Sequence, residues 1–348
     1  MQISDGRENP QDGGPAMAVG PEADVRYLLV ATIKNEALNL LEWVAWHRMI
    51  GFTDILVYYN NCEDSTARTL RIMQAAGLLR AFPNDFPPDH PAPPFQNRAY
   101  RRAGHEPEYA AARWCMALDA DEFLLIHAGN GTLADLTAAC GSADAMRINW
   151  RVFGNSGLTG LDAGLQTERF TLAMPQRTVQ RWPVAVKTLF RTASYGRIGI
   201  HLPHLPRQEA PKVVTGSGLP LDEVRVRGFN CTDPGRYALA QVNHYMVRDC
   251  DSFLIKSDRG SSSHPEREIR ADYWRKWNRN DERETAILSR RDRLLAEMQH
   301  LDALTGGRLM ALRRRALRYW RGKVAQLKTR EDMAELYNTI ANTGPPVA

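Results

Sequence analysis

An α/β fold is what this sequence predicts: an open sheet with helices on both faces, followed by a helical C-terminal extension. Three observations lead there. Residues 25–33 form a continuous apolar run, as in a parallel strand buried on both sides. Apolar runs then alternate with helical periodicity, strand–helix–strand–helix–strand, as far as residue 82, and this alternation implies right-handed crossovers within one sheet. Third, the apolar run 114–118 stops at Asp119-Ala120-Asp121-Glu122 before a second apolar run begins. Unpaired carboxylates are costly in an apolar interior, so they mark a strand end that water or a cation reaches.

The elements follow in chain order. Residues 1–24, rich in Gly, Pro, Asp and Gln, are expected to be a disordered leader with no apolar segment of a signal peptide. After the first strand, Lys34-Asn35-Glu36 ends the run, and a helix is expected over 39–50, stopped by Gly51. A strand at 54–60, a helix at 66–76 capped by Asp64 or Ser65, and a short strand at 78–82 come next. The proline-heavy stretch 83–94 is a loop. Residues 96–114 read as one helix with a break near Gly104. A short helix at 133–140, a strand at 145–152 and short strands at 184–190, 197–201 and 241–246 follow, and helices dominate from Ser252 onward. The expected division is a catalytic domain over 25–262 and a helical extension over 263–348.

Composition narrows the function. The 348 residues carry a net charge of +5, a mild excess that suits an anionic substrate as well as an acidic surface. The five cysteines are far apart and form no Cys-x-x-Cys, so reduced thiols in a cytoplasmic protein are expected rather than disulfides or a zinc site. No apolar stretch reaches the roughly 20 residues that span a bilayer.

In open α/β sheets, ligands bind beyond the carboxyl ends of the strands. Three predicted strands end in polar sets: Lys34-Asn35-Glu36, Asn60-Asn61 with Glu63-Asp64, and Asp119-Asp121-Glu122. Hard oxygen donors without sulfur nearby suit Mg²⁺ or Mn²⁺. An isolated Asp-x-Asp, however, is most simply a strand ending in a solvated turn. Two histidines, His201 and His244, are candidates to complete a carboxylate metal site or to donate to a phosphate. Lys256 and Arg259 form a basic cluster of the sort a diphosphate needs, since Arg grips phosphate bidentately.

Together these residues carry a resemblance. Residues 30–36 (Val-Ala-Thr-Ile-Lys-Asn-Glu), with Glu42-Trp43-Val44, His47, Gly51-Phe52 and Tyr59-Asn60, resemble the opening of bacterial family 2-like glycosyltransferases, which are related to family 92. The likeness continues through Gln96, Leu118–Leu124, Trp150, Phe153-Gly154, Lys187–Arg191, Ile200-His201 and Asn243-His244-Tyr245, and ends with Phe253, Lys256, Arg259 and Gly260. It implies a GT-A type fold and a nucleotide-diphosphate sugar donor contacted by Thr32, Lys34, Asn35, Glu36, Asn60, Gln96, Asp119, Lys256 and Arg259. It also implies Mn²⁺ or Mg²⁺ held by Asp119 and Asp121, with His244 or His201 in reach, and an inverting displacement assisted by a carboxylate base. Candidate bases are Asp222, Glu223 and Asp251. The family more often has Lys-Ser after its His-Tyr, where this chain has Arg248-Asp249.

Residues 307–329 are expected to form one helix with an apolar stripe of Leu309, Leu312, Ala316, Trp320, Val324 and Leu327. Arg308, Arg313, Arg314, Arg315, Arg318, Arg321, Lys323 and Lys328 fill most of the remainder. Such a helix suits an anionic membrane surface or packs on the domain with a basic face in water. The overall expectation is a metal-dependent glycosyltransferase acting on a polysaccharide or glycolipid acceptor, peripheral to the inner membrane and without nucleic-acid partners. Rival readings are a nucleotidyltransferase on a similar sheet and a non-catalytic sugar- or lipid-binding module.

Overall fold

The computed structural model describes residues 25–85, 95–260 and 269–343. The leader at 1–24, most of the proline-rich loop and the boundary drawn at 262 lie outside them. Strand β1 (Tyr27–Ile33) is buried except at Thr32. Its alternation divides the core. Leu29, Ala31 and Ile33 pack with helix α1 (Leu40–Met49) on one side of the sheet. Leu28 and Val30 pack with Ala99, Tyr100 and Ala103 of helix α3 (Phe95–Ala103) on the other. A strand whose two faces are both apolar needs cover on both, which is why helices lie on both sides.

Strands β2 (Asp54–Tyr59) and β3 (Arg80–Pro83) add in parallel beyond β1, separated by helix α2 (Thr66–Ala75). Ser65 is the N-cap of α2 without a side-chain cap bond, and Asp64 just before it accepts the Thr66 N–H on Oδ1 at 2.8 Å. On the other side of β1 lies β4 (Trp114–Ala117), also parallel. The chain then turns through Asp119–Asp121 into β5 (Glu122–Ile126), followed by helix α4 (Leu133–Ala139) and strand β6 (Ala145–Val152). Strands β7 (Val184–Arg191) and β8 (Ala240–His244) complete the main path, in the order β3-β2-β1-β4-β7-β6-β8-β5. The sheet is mixed: β7 runs antiparallel to both β4 and β6, and β5 is antiparallel to β8. β1, β2 and β4 are parallel, so the three polar sets leave the sheet along one edge.

Two local expectations are corrected. Residues 96–114 form α3 and a separate short helix, Pro107–Ala111, and Trp114 already belongs to β4. Pro107 explains the restart, since proline fits the first turn of a helix but not its interior. Residues 197–201 are not a strand. The strand there ends at Arg197, and His201 is fixed instead by β7, with its carbonyl accepting the Thr188 hydroxyl at 2.6 Å.

The C-terminal helices are α5 (Cys250–Arg259), α6 (Arg291–Leu304), α7 (Arg308–Leu327) and α8 (Glu331–Asn342). Leu294, Met298 and Leu301 of α6 join the main core against α1. The whole predicted stripe of α7 is buried, and Ala316, Trp320 and Val324 pack on Ala37, Leu38 and Leu161. Arg313 departs from the expected basic face. It is buried, and its guanidinium donates to the carbonyls of Leu38, Ala163 and Gly164 at 2.9, 2.6 and 3.0 Å. Those carbonyls end loops far away in sequence, so helical periodicity alone gives no sign of them.

His47 ties α1 to β5. Its Nδ1–H donates to the Trp43 carbonyl at 2.8 Å, and Nε2 accepts the Leu124 N–H at 3.4 Å. Accepting the Leu124 N–H requires the neutral ring, and burial depresses its pKa to about 3 against the raising effect of the Trp43 bond. A folded pKa below the unfolded value of about 6.5 means that the unfolded chain takes up a proton first. The stabilisation is therefore fully present above pH 6.5 and is lost as the pH falls toward 3. We expect urea midpoints to drop with acidification over this window. His47→Gln should flatten that part of the profile, and an unchanged slope would exclude His47 as its source.

Candidate functional site

The site is built around a buried lysine. Lys187 lies mid-strand in β7 with no exposed side-chain surface, 3.1 Å from Asp119 Oδ2 and 3.1 Å from Glu122 Oε2. A fully buried ammonium and the fully buried Glu122 carboxylate are tolerable only because each satisfies the other, with the partly exposed Asp119 as a second partner. The turn is held from three more directions. Glu122 Oε2 accepts the Asp119 N–H at 2.8 Å. Gln96, at the start of α3, donates from Nε2 to Asp119 Oδ1 at 2.8 Å. The indole N–H of Trp43 on α1 is shared between the Asp119 and Glu122 carbonyls at 3.1 and 3.0 Å. Burial pushes the Glu122 carboxyl above its usual range, helped by Asp119 and opposed by Lys187.

This clamp turns Asp121 the other way. Its Oδ1 faces His244 Nε2 at 3.6 Å and its Oδ2 faces Lys256 Nζ at 3.5 Å. Burial would raise its pKa, but His244, Lys256 and Arg248 outweigh burial and hold the carboxyl well below its ordinary value. His244 comes from the end of β8, where it pairs in register with Glu122, and its Nδ1 lies 3.6 Å from Glu122 Oε1. Lys256 comes from α5, and Nζ also donates to the Met246 carbonyl at 2.6 Å.

A pocket opens beside Asp121, lined among others by Asn35, Glu36, Arg248, Lys256 and Arg259. Glu36 sits between two guanidiniums. Its Oε2 accepts from Arg248 at 3.0 and 3.1 Å, and its Oε1 is 3.5 Å from Arg259, which also donates to the Lys34 carbonyl at 2.9 Å. Asn35 adopts a left-handed conformation (φ 62°), which asparagine tolerates better than most residues, and its Oδ1 accepts the Glu63 N–H at 2.8 Å. Three cations and two carboxylates line the pocket, so it favours a further anion. Leu38, Leu161, Ile255 and Trp320 form its apolar side. Trp320 is fixed there by its indole N–H on Asp64 Oδ2 at 3.2 Å. The helical extension thus supplies a wall of the pocket.

The remaining candidates are placed as follows. Thr32 lies half-buried near the end of β1, and Asn60 is buried just beyond β2. His201 lies one ring away from His244: Trp150 touches His244 edge-on at 4.3 Å between centroids and His201 at 5.4 Å. Burial, with Lys187 nearby, lowers the His201 pKa to about 4. Asp222 and Glu223 are exposed on a single 3₁₀ turn. Asp251 accepts the Leu161 N–H at 3.1 Å and pairs with Lys328 of the extension at 2.7 Å. Asp249, in the departing Arg248-Asp249 pair, caps α5 by accepting the Ser252 N–H at 2.8 Å.

Both Asp119 oxygens are engaged by Gln96 and Lys187, whereas Asp121 and His244 face each other beside open space. Among the described residues no group of three or more His, Cys, Asp or Glu side chains forms a ready-made cage. Two protein donors still fit Mg²⁺ or Mn²⁺, which commonly complete their shell with substrate phosphates and water. Lys187 and Arg248 were overlooked as site residues. A lysine within Val184–Phe190, otherwise free of charge, was itself the sign of a buried partner.

The sequence model of glycosyltransferase family 92 matches residues 30–217, more than half of the chain. The chain belongs to glycosyltransferase family 92. His244, Lys256 and Arg259 lie beyond the matched segment. No curated protein matches. Among solved structures, S. aureus TarS is similar at 12% identity over 91% of this chain and 55% of that one, with a TM-score of 0.33. TarS residues 1–349 with UDP match at 14% identity over 49% of this chain and 47% of that one, with a TM-score of 0.30. The chain thus spans about half the length of both. At these scores the likeness is slight, and the fold rests on the strand order given above.

Removing the buried ammonium should be costly. Lys187→Met leaves the buried Glu122 carboxylate uncompensated and removes a partner of Asp119, and we expect a loss of about 3–5 kcal/mol in urea denaturation. Adding Glu122→Gln should restore part of it. A single variant as stable as the wild type would show that the clamp is not what holds this turn.

Proposed function

We propose that this protein transfers a sugar from a nucleotide-diphosphate sugar to a saccharide or glycolipid acceptor, with inversion and with the help of Mn²⁺ or Mg²⁺. The observation that carries this reading is the convergence of Asp121, His244, Lys256, Arg248 and Arg259 at the edge where parallel strands end. A divalent ion held by Asp121 and His244 would neutralise charge on the departing nucleoside diphosphate. Lys256, Arg248 and Arg259 are placed to bind its phosphates, and Glu36 keeps both guanidiniums oriented before the donor arrives. Inversion requires a carboxylate to take the acceptor proton. Asp222 and Glu223 remain free for that role, whereas Asp251 is committed to Lys328.

Asp121→Asn tests the reading. We expect Mn²⁺-dependent hydrolysis of nucleotide-sugars to fall by about 10²–10³ with little change in melting temperature. Full turnover in the variant, or in wild type stripped by chelator, would overturn it.

The acceptor side of this reading includes an anionic membrane surface. No helix among the described residues is long and apolar enough to cross a membrane. Arg314, Arg315 and Arg318 of α7 face water while its apolar stripe is packed inside, so attachment would be by charge alone. Each such residue contributes about 1 kcal/mol at a surface, and salt weakens it. Changing the three to Glu should abolish co-sedimentation with phosphatidylserine vesicles. Unchanged co-sedimentation would rule out these arginines as the attachment, and no co-sedimentation of the wild type would remove the membrane from the proposal.

A further inference from the structure

Large apolar side chains are exposed at few places among the described residues, and three of them gather at one end of β7. Trp182 precedes the strand by two residues and is 66% exposed. Val226 and Phe229 belong to a hairpin whose Asn230 and Cys231 pair with Ala185 and Val184. Phe229, 43% exposed, is anchored by its carbonyl, which accepts the Val186 N–H at 3.2 Å.

Phe229 also joins the candidate site by continuous ring contact. Its ring lies flat on His201, with centroids 4.1 Å apart and planes within 7°. His201 meets Trp150, Trp150 meets His244, and His244 faces Asp121. The stack is fixed from below, because His201 Nδ1–H donates to the Val186 carbonyl at 2.9 Å. The ring is then the neutral tautomer with its lone pair on Nε2, which bonds nothing among the described residues. An aromatic face beside a free hydrogen-bond acceptor, on a hairpin that also carries the exposed Arg225 and Arg227, has the chemistry of a pyranose site. A sugar offers an apolar C–H face for the ring and hydroxyls for its polar neighbours.

We propose that Phe229, seated on His201, is the platform on which the saccharide acceptor lies, with an acceptor hydroxyl donating to His201 Nε2. The proposal rests on the glycosyl-transfer reading above and supplies its missing half, the acceptor subsite. The pocket beside Asp121 serves the anionic donor, and the hairpin at 226–231 serves the neutral sugar. Phe229 does not line the donor pocket and reaches Asp121 only through three intervening rings, so the two halves are separable by experiment.

Saturation-transfer NMR with cellotetraose, chitotetraose and maltotetraose as probes, irradiating aromatic protons, tests the platform. We expect transfer to at least one probe in the wild type. It should fall about fivefold or more in Phe229→Ala, the scale of a lost ring contact, and return in Phe229→Tyr. Calorimetry with UDP, GDP and CDP in the presence of Mn²⁺ on the same samples reads the donor side. Saccharide loss without nucleotide loss confines the effect to the acceptor. No transfer to any probe in the wild type, or equal transfer in Phe229→Ala, overturns the platform whatever the nucleotides do. Saccharide binding through Phe229 with no nucleotide bound would instead overturn the donor reading and leave the platform standing.

Discussion

A lysine with no access to water is the constraint on which this molecule is arranged. Lys187 is acceptable mid-strand only while Asp119 and Glu122 meet it, and they meet it only if the chain turns sharply between β4 and β5. Trp43 and Gln96 reach that turn from helices on opposite faces of the sheet, so both helical layers are registered to it. With Asp119 and Glu122 drawn toward the lysine, Asp121 is left to project toward His244 and Lys256. A structural ion cluster and a candidate catalytic carboxylate thus share four consecutive residues with opposite assignments. The buried group fixes the backbone, and the projecting group lines the pocket.

The electrostatics of the pocket follow a related logic. Arg248 and Arg259 would repel each other in a partly dehydrated pocket, and Glu36 between them removes that penalty. The residual positive charge is small, and the positions of the guanidiniums are set before any phosphate is present. Such preorganisation matters more than total charge when the developing negative charge is local. It also gives Arg248, which departs from the usual Lys at its position, a definite place in the pocket wall.

Much of the fold was readable from the chain because buried strands and amphipathic helices carry strong local patterns. Residues 145–152 and the edges of α1 and α7 were legible for that reason. The mixed order of the sheet was not, because whether β7 pairs parallel or antiparallel is decided by contacts between distant segments. At the site, the acidic end of β4 announced itself, since carboxylates after an apolar run have few explanations. Lys187 did not, because one charged residue in a strand gains meaning only once its partners across the sheet are known. The apolar stripe of α7 was plain from its period, but the period does not say what covers it. Arg313 lies on the covered side because distant carbonyls meet it there.

Trp320 in the pocket wall ties the site to the order in which the polypeptide is made. Asp121 leaves the ribosome 199 residues ahead of Trp320 (320 − 121). At about 5–20 residues per second, at least ten seconds or so separate the two. During that interval Asp64 waits for its indole partner, and Ala37, Leu38 and Leu161 have no apolar cover from α7. A chain that ends before α7 therefore lacks Trp320 and with it one wall of the pocket.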